Sequence, residues 1–207
     1  MTSLDILGFA LGTAFASGLN VYATVAVLGL LDRYGMIQLP PPLEVLGHPV
    51  VWGVAVGLYL IEFVADKIPY VDNVWDVVHT FIRPPAAAVL AYTAFGGVPE
   101  AWRVAAALLA GSVALTSHGT KASARAAVNV TPEPFSNWVL SLAEDGIAVL
   151  LAWMAVTHPF LTLVIVLLLV VASVFVIVKL FGFLRRVLRR IFRGELAPLP
   201  SSTPPPA

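Results

Sequence analysis

The sequence predicts an all-α fold, a polytopic transmembrane helical bundle of about six spans. Three observations carry that prediction. Hydrophobic residues fill 59% of the 207 positions and charged residues only 12%, about half the charge density of an ordinary soluble domain. A soluble fold of this size could not cover its surface with so little charge. Long apolar stretches also recur along the whole chain, which points to one membrane domain. Finally, the start MTSLDILGFALG lacks the basic flank of a secretory signal, and its apolar run continues to Leu31, past the roughly 7–15 residues of a signal core. It reads as a retained first span. The absence of cysteine rules out a disulfide framework, a thiolate metal site and a thiol nucleophile.

A helix needs about 20 residues to cross about 30 Å of hydrocarbon, because no unpaired backbone group can face lipid. That ruler places spans at 5–32, 46–66, 80–97, 101–128, 134–157 and 159–184. Pro40, Pro41 and Pro42 separate the first two spans, and Pro69 stops whatever follows Lys67. The third span is short and begins with Arg83, Pro84 and Pro85; Gly96, Gly97 and Pro99 turn it into the fourth. Pro132 and Pro134 open the fifth span, as first-turn prolines do. The transmembrane domain is thus 1–184, a basic interfacial helix follows at 185–194, and the proline-rich polar tail 195–207 is expected to be disordered.

Basic residues near span ends are retained in the cytoplasm. Arg185, Arg186, Arg189, Arg190 and Arg193 follow the last span, and the even-numbered loops hold Lys67, Arg83, Lys121 and Arg125, against Arg33 and Arg103 on the other side. Both termini are therefore expected in the cytoplasm. Leu184, Val187, Leu188, Ile191 and Phe192 alternate with the arginines, as in an amphipathic helix anchored on anionic lipid headgroups.

The two halves read as a repeat. Gly12, Thr13, Ser17, Ala23 and Thr24 align without gaps on Gly111, Ser112, Thr116, Ala122 and Ser123; Pro49 and Glu62 align on Pro134 and Glu144, and 78–82 on 157–161. Three spans per half is an odd number, so the second half would insert upside down, giving the inverted repeat of many transporters. Small and polar residues then fall at midspan twice, at Ser17-Gly18-Leu19-Asn20 and at Thr116-Ser117-His118-Gly119-Thr120. Such positions can unwind and offer backbone groups to a solute, or serve only as kinks and close crossings.

Ionisable groups inside a membrane helix cost about 2.5–3.5 kcal/mol each, so they ask for a partner or a task. Glu62 and Asp66 lie one turn apart in the second span, Lys121 and Arg125 one turn apart in the fourth, and Glu144 and Asp145 within the fifth. An acidic helix face can meet a basic one. Such a cluster would lock helices in register; it would also leave surplus carboxylate, which Lys67 could reduce by snorkelling inward, and surplus buried carboxylate holds a proton or a cation. Asn20 and Asn137 are added as polar partners. The fourth span could equally end near Ser117, leaving Lys121 and Arg125 in a loop.

A second polar site is expected at Asp72, Asp76, His79 and Arg83, which form one stripe if that stretch is helical. Asp72, Asp76 and His79 have the spacing of metal ligands on one helix, while an interfacial helix with Trp75 at headgroup level explains the stripe as well. The metal is unknown and no cofactor is expected. No serine stands in a Gly-x-Ser-x-Gly context, and neither His-Glu-x-x-His nor a glycine-rich phosphate loop is present. His48 and His158 precede prolines at span boundaries and read as interface residues.

The segments GLNVYATVAVLGLLDRYG at 18–35, EFVADKIPYVDNVWDVVHTFIRP at 62–84, SHGTKASARAAVN at 117–129 and PEPFSNWVLSLAED at 132–145 together resemble a family of small integral membrane proteins known only as a domain of unknown function. The resemblance covers most of residues 12–160 and excludes the basic helix and the tail. It implies a bacterial-type inner-membrane protein and supplies no substrate, cofactor or catalytic residue. Its motifs include the polar residues already singled out on physical grounds.

The expected function is a small proton- or ion-coupled transporter or channel, with the lipid bilayer and a small solute or ion as partners and no nucleic acid. Glu62, Asp66, Glu144 and Asp145 would carry protons or cations, and Lys121 and Arg125 would neutralise them or hold an anionic group. Two other readings stand beside it. One is a membrane enzyme acting on a lipid or isoprenoid phosphate through Asp72, Asp76, His79 and Arg83; the other is a non-catalytic partner subunit.

Overall fold

A computed structural model describes residues 3–68, 70–129 and 134–194. Pro69, Pro132 and the tail from 195 onward lie outside the described residues. The chain is an all-α bundle. Its helices are α1 (Ser3–Arg33), α2 (Pro49–Ala65), α3 (Val71–His79), α4 (Arg83–Ala94), α5 (Glu100–Val128), α6 (Pro134–Thr157) and α7 (Pro159–Gly194), with a short 3-10 helix at Pro41–Gly47 before α2. Prolines set many of these starts, because a first-turn proline gives up no intrahelical bond: Pro49 opens α2, Pro134 opens α6 and Pro159 opens α7.

The first helix is the axis of the bundle, touching α2, α4, α5, α6 and α7. It is apolar all round, the pattern of a helix surrounded by others. Within its span 72% of residues are buried, against 22% for α7, which therefore lies on the outside. Phe9, Phe15 and Leu28 of α1 pack with Leu151 and Ala155 of α6 and Val166 of α7. The outer surface is itself apolar: Leu108, Leu168, Val171 and Phe181 are exposed. Only a lipid environment makes that surface inexpensive.

By length and apolar composition, fewer helices qualify as candidate spans than the six expected. Among the described residues three helices, within α1, α6 and α7, are long and apolar enough to cross a membrane, and a fourth span arises if the bent pair of the 3-10 helix and α2, which meet at 63°, counts as one. At about 1.5 Å per residue, the 12 residues of α4 reach only about 18 Å. The expected third span is thus a short helix, cut off by the turn at Phe95–Val98. Helix α5 has the length, but its charges lower its apolar character. Helix α3 is none of the crossing helices.

One further expectation changes. The basic segment after residue 184 is no separate helix but continues α7 without interruption to Gly194. Helix α5 also runs unbroken through Thr116–Thr120, so of the two readings of that stretch the close crossing fits and the unwinding does not. Its Thr116 and Thr120 hydroxyls donate to the Ser112 and Thr116 carbonyls of their own helix, at 2.8 and 3.0 Å, so the local polar groups are satisfied without unwinding. In α1, of the two readings, the break does form. Asn20 has φ −154° and ψ 101°, extended backbone inside a helix.

Candidate functional site: a buried charge network at the break in α1

Asn20 turns α1 into two half-helices and caps the second. Its Oδ1 accepts the Ala23 N–H at 2.9 Å, the reach of an N-cap side chain to the third residue of its helix. Ala23 N–H is the group that would otherwise bond the Leu19 carbonyl, so that carbonyl is released. Lys121 Nζ of α5 donates to it at 3.0 Å, and Arg83 Nη1 of α4 donates to the neighbouring Gly18 carbonyl at 3.1 Å. Cations thereby meet the negative end of one half-helix. The amide of Asn20 donates to Asp145 Oδ1 at 2.9 Å, which brings an acid to the positive end of the other.

Close approach of α5 makes this meeting work. A Cβ on Gly18 would collide with Ser117 Oγ and the Ala114 carbonyl, so glycine is required there. Ser117 Oγ donates to the Phe15 carbonyl at 3.0 Å.

The charged side chains form one continuous network. Glu62 Oε1 accepts from Arg83 Nη2 at 2.6 Å and faces Lys121 Nζ at 3.5 Å. Asp66 Oδ2 is shared by Lys121 at 2.8 Å and Arg125 at 2.7 Å, and Arg125 Nη2 also binds Glu144 at 2.7 Å. Lys121 and Arg125 are buried in the middle of this network, not in a loop. The i, i+4 spacing of Glu62 and Asp66 on α2 does meet that of Lys121 and Arg125 on α5.

The two sites expected separately are one. Arg83 pairs with Glu62, and Asp76 lies 3.9 Å from Arg125 Nε and 3.8 Å from Arg83 Nη1. Asn137 donates to Asp72 Oδ2 at 3.0 Å, and Asn129 donates to both Asp72 oxygens at 3.1 and 3.0 Å. Asp72, Asp76 and His79 therefore have different partners and do not converge as a metal triad. Among the described residues no group of three or more His, Asp or Glu side chains is placed to share a metal ion. Nor does Trp75 stand apart: its ring packs on His79 with centroids 4.9 Å apart. Lys67 stays out of the network, its ammonium over the Phe63 ring and bonded to the Phe63 carbonyl at 3.0 Å.

Sequence reasoning missed His118 as a member of the site. Its Nδ1 accepts from Arg83 Nη1 at 2.7 Å, and its Nε2 reaches Thr80 Oγ1 at 2.9 Å and the Asp76 carbonyl at 3.0 Å. The signal was available, since residues 118, 121 and 125 share one face of a helix. Tyr22, edge-on to the His79 ring at 5.5 Å, was also missed.

Among the described residues six carboxylates are buried, Glu62, Asp66, Asp72, Asp76, Glu144 and Asp145, against three buried cations, Arg83, Lys121 and Arg125, and Asp72 is held by asparagines in place of a cation. Glu62 Oε2, Asp66 Oδ1, Asp145 Oδ2 and both carboxylate oxygens of Asp76 accept no hydrogen bond among the described residues. Burying such groups unpartnered is expensive, and a proton, a water or an ion offsets the cost. An apolar crevice of about 260 Å³ between α5, α6 and α7 reaches Lys121 and Glu144 from the side.

A family model described as Domain of unknown function (DUF4126) matches residues 7–179. No curated protein and no solved structure matches the chain.

Proposed function

The chain belongs to the DUF4126 family, and on that footing we propose that it is a small proton- or ion-coupled transporter or channel whose coupling site is the buried charge network. One observation carries the proposal: among the described residues buried carboxylates outnumber buried cations six to three, and the cations lie where α1 is broken. A purely structural lock would work best with charges matched, because each unpaired buried charge opposes folding. A broken helix presenting carbonyls on one side and a capped N-terminus on the other is the arrangement that transporters use to hold ions at midspan.

The reading extends to topology. The protein would sit in an inner membrane with both termini in the cytoplasm and its exposed Arg185, Arg186 and Arg189 on anionic headgroups. An inverted repeat draws support from one pair of contacts. With Gly12 aligned on Gly111, residue 15 corresponds to 114 and 18 to 117; the approach of Gly18 to Ala114 and that of Ser117 to Phe15 are then exchanged by the repeat.

The test is flux. Purified protein in liposomes loaded with a pH-sensitive dye should move protons down an imposed gradient, and Glu62→Gln or Asp145→Asn should slow it. Flux unchanged by every such neutralisation would sink the proposal; no flux, with a stoichiometric partner recovered instead, would favour the partner-subunit reading.

A further inference from the structure

We infer that the ion held in this network is a proton and that Asp76 is the side chain that holds it. The assignment comes from sorting the buried carboxylates by their partners. Glu62, Asp66 and Glu144 each accept a charge-assisted bond of 2.6–2.8 Å from an arginine or lysine, which replaces lost hydration. Asp72 accepts from the side-chain amides of Asn129 and Asn137 and from the Asn73 backbone N–H at 2.7 Å. Asp145 has the Asn20 amide and the N-terminal end of a half-helix.

Asp76 has none of these. It is 3% exposed, and neither of its carboxylate oxygens accepts a hydrogen bond among the described residues. Its arginine neighbours stand at 3.8 and 3.9 Å and spend their short bonds on Glu62, Asp66 and Glu144. An anion buried on these terms loses its hydration without replacement, and taking up a proton from water relieves that cost.

The charged surroundings of Asp76 are mixed. Helix α2 brings Asp66 and Glu62 toward it, α4 brings Arg83, and α5 brings His118, Lys121 and Arg125; Asp72 and His79 flank it on α3. Burial is the largest influence and pushes its carboxyl up to about 6, against the opposing pull of Lys121, Arg125 and Arg83. A guanidinium on each side disfavours a metal cation at this carboxylate, whereas a proton needs only one oxygen. The backbone carbonyl of Asp76 accepts from Thr80 Oγ1 at the end of α3 and lies 3.0 Å from His118 Nε2, which joins α3 to α5 beside this carboxylate.

The use of this proton in transport rests on the function proposed above; its residence on Asp76 does not. Infrared difference spectroscopy on the full chain in lipid nanodiscs reads protonated carboxyl groups directly. Acidification through about pH 6 should produce a protonated-carboxyl band that Asp76→Asn loses and that Asp145→Asn and Glu144→Gln keep. A band that persists in Asp76→Asn, or that disappears in Asp145→Asn instead, overturns the assignment. Should Asp76→Asn fail to fold, Asp76→Glu serves: the band must shift its midpoint, and an unmoved midpoint overturns the assignment. If the band behaves as expected while liposomes show no proton flux, the transport proposal fails and the Asp76 assignment stands; flux with no titrating Asp76 is the reverse case.

Discussion

Lys121 Nζ lies 3.0 Å from the carbonyl oxygen of Leu19, an acceptor that α1 makes available because the Ala23 N–H bonds Asn20 Oδ1 instead. The charged network and the break in α1 are thus one construction. Asn20→Ala should remove the cap and the Asp145 bond together, lowering stability by about 1–3 kcal/mol. Thermal unfolding of the variant in detergent, followed by circular dichroism, checks this; an unchanged midpoint would mean that the break is held by packing alone.

Arg125 should be the most sensitive of the cations. Its Nη2 serves Asp66 and Glu144, both at 2.7 Å, so Arg125→Met leaves the buried Glu144 with no cation nearer than Lys121 at 3.8 Å, while Asp66 keeps Lys121. The expected loss is about 3–5 kcal/mol. Lys121→Met should cost less, because Asp66 keeps Arg125. Chemical denaturation of both variants in the same detergent ranks them, and a larger loss for Lys121→Met contradicts the partner assignment.

Stability should depend on pH through Asp76. Its carboxyl is raised from 3.8 to about 6, so between those values the folded state binds more protons than the unfolded chain. The sign follows: this contribution is full below about pH 4, falls as pH rises through about 6, and is absent above. The difference in melting temperature between wild type and Asp76→Asn should therefore change across that window and stay flat above it. A flat difference throughout would place the titration elsewhere.

Gly18→Val should separate α1 from α5. A side chain there meets the Ala114 carbonyl, which is backbone and cannot rotate away. Overpacking of this kind costs about 1–3 kcal/mol. The equivalent change at Gly53, where an added Cβ meets nothing within 4 Å, is the control and should leave the melting temperature unaltered.

His118→Ala should release the end of Arg83 that faces α5. The buried guanidinium would keep Glu62 and the Gly18 carbonyl but lose its 2.7 Å acceptor, at a cost of about 1–3 kcal/mol. His118→Gln, whose amide oxygen can accept in place of Nδ1, should recover part of the loss in the same unfolding assay.

By itself the sequence determined the all-α membrane character, most helix starts, a stretch around Asn20 at which α1 could break, and most residues of the charge network. Each of these is local or compositional: apolar excess, prolines at first turns, an asparagine able to cap, and charges too costly to leave in a span without partners. The number of crossings was not local. A hydropathy ruler counts apolar residues and cannot tell a full span from the short α4 or the bent entry to α2. Nor could spacing reveal that the polar stripe of α3 turns inward, so that Asp76, His79 and Arg83 join Glu62 and Arg125 in a single network while Asp72 binds asparagines, or that His118 belongs to it. Those facts depend on which helix faces meet. Only the packing of α2, α3, α4 and α5 around the broken α1 decides which carboxylate finds a cation within hydrogen-bond reach and which, like Asp76, is left without one.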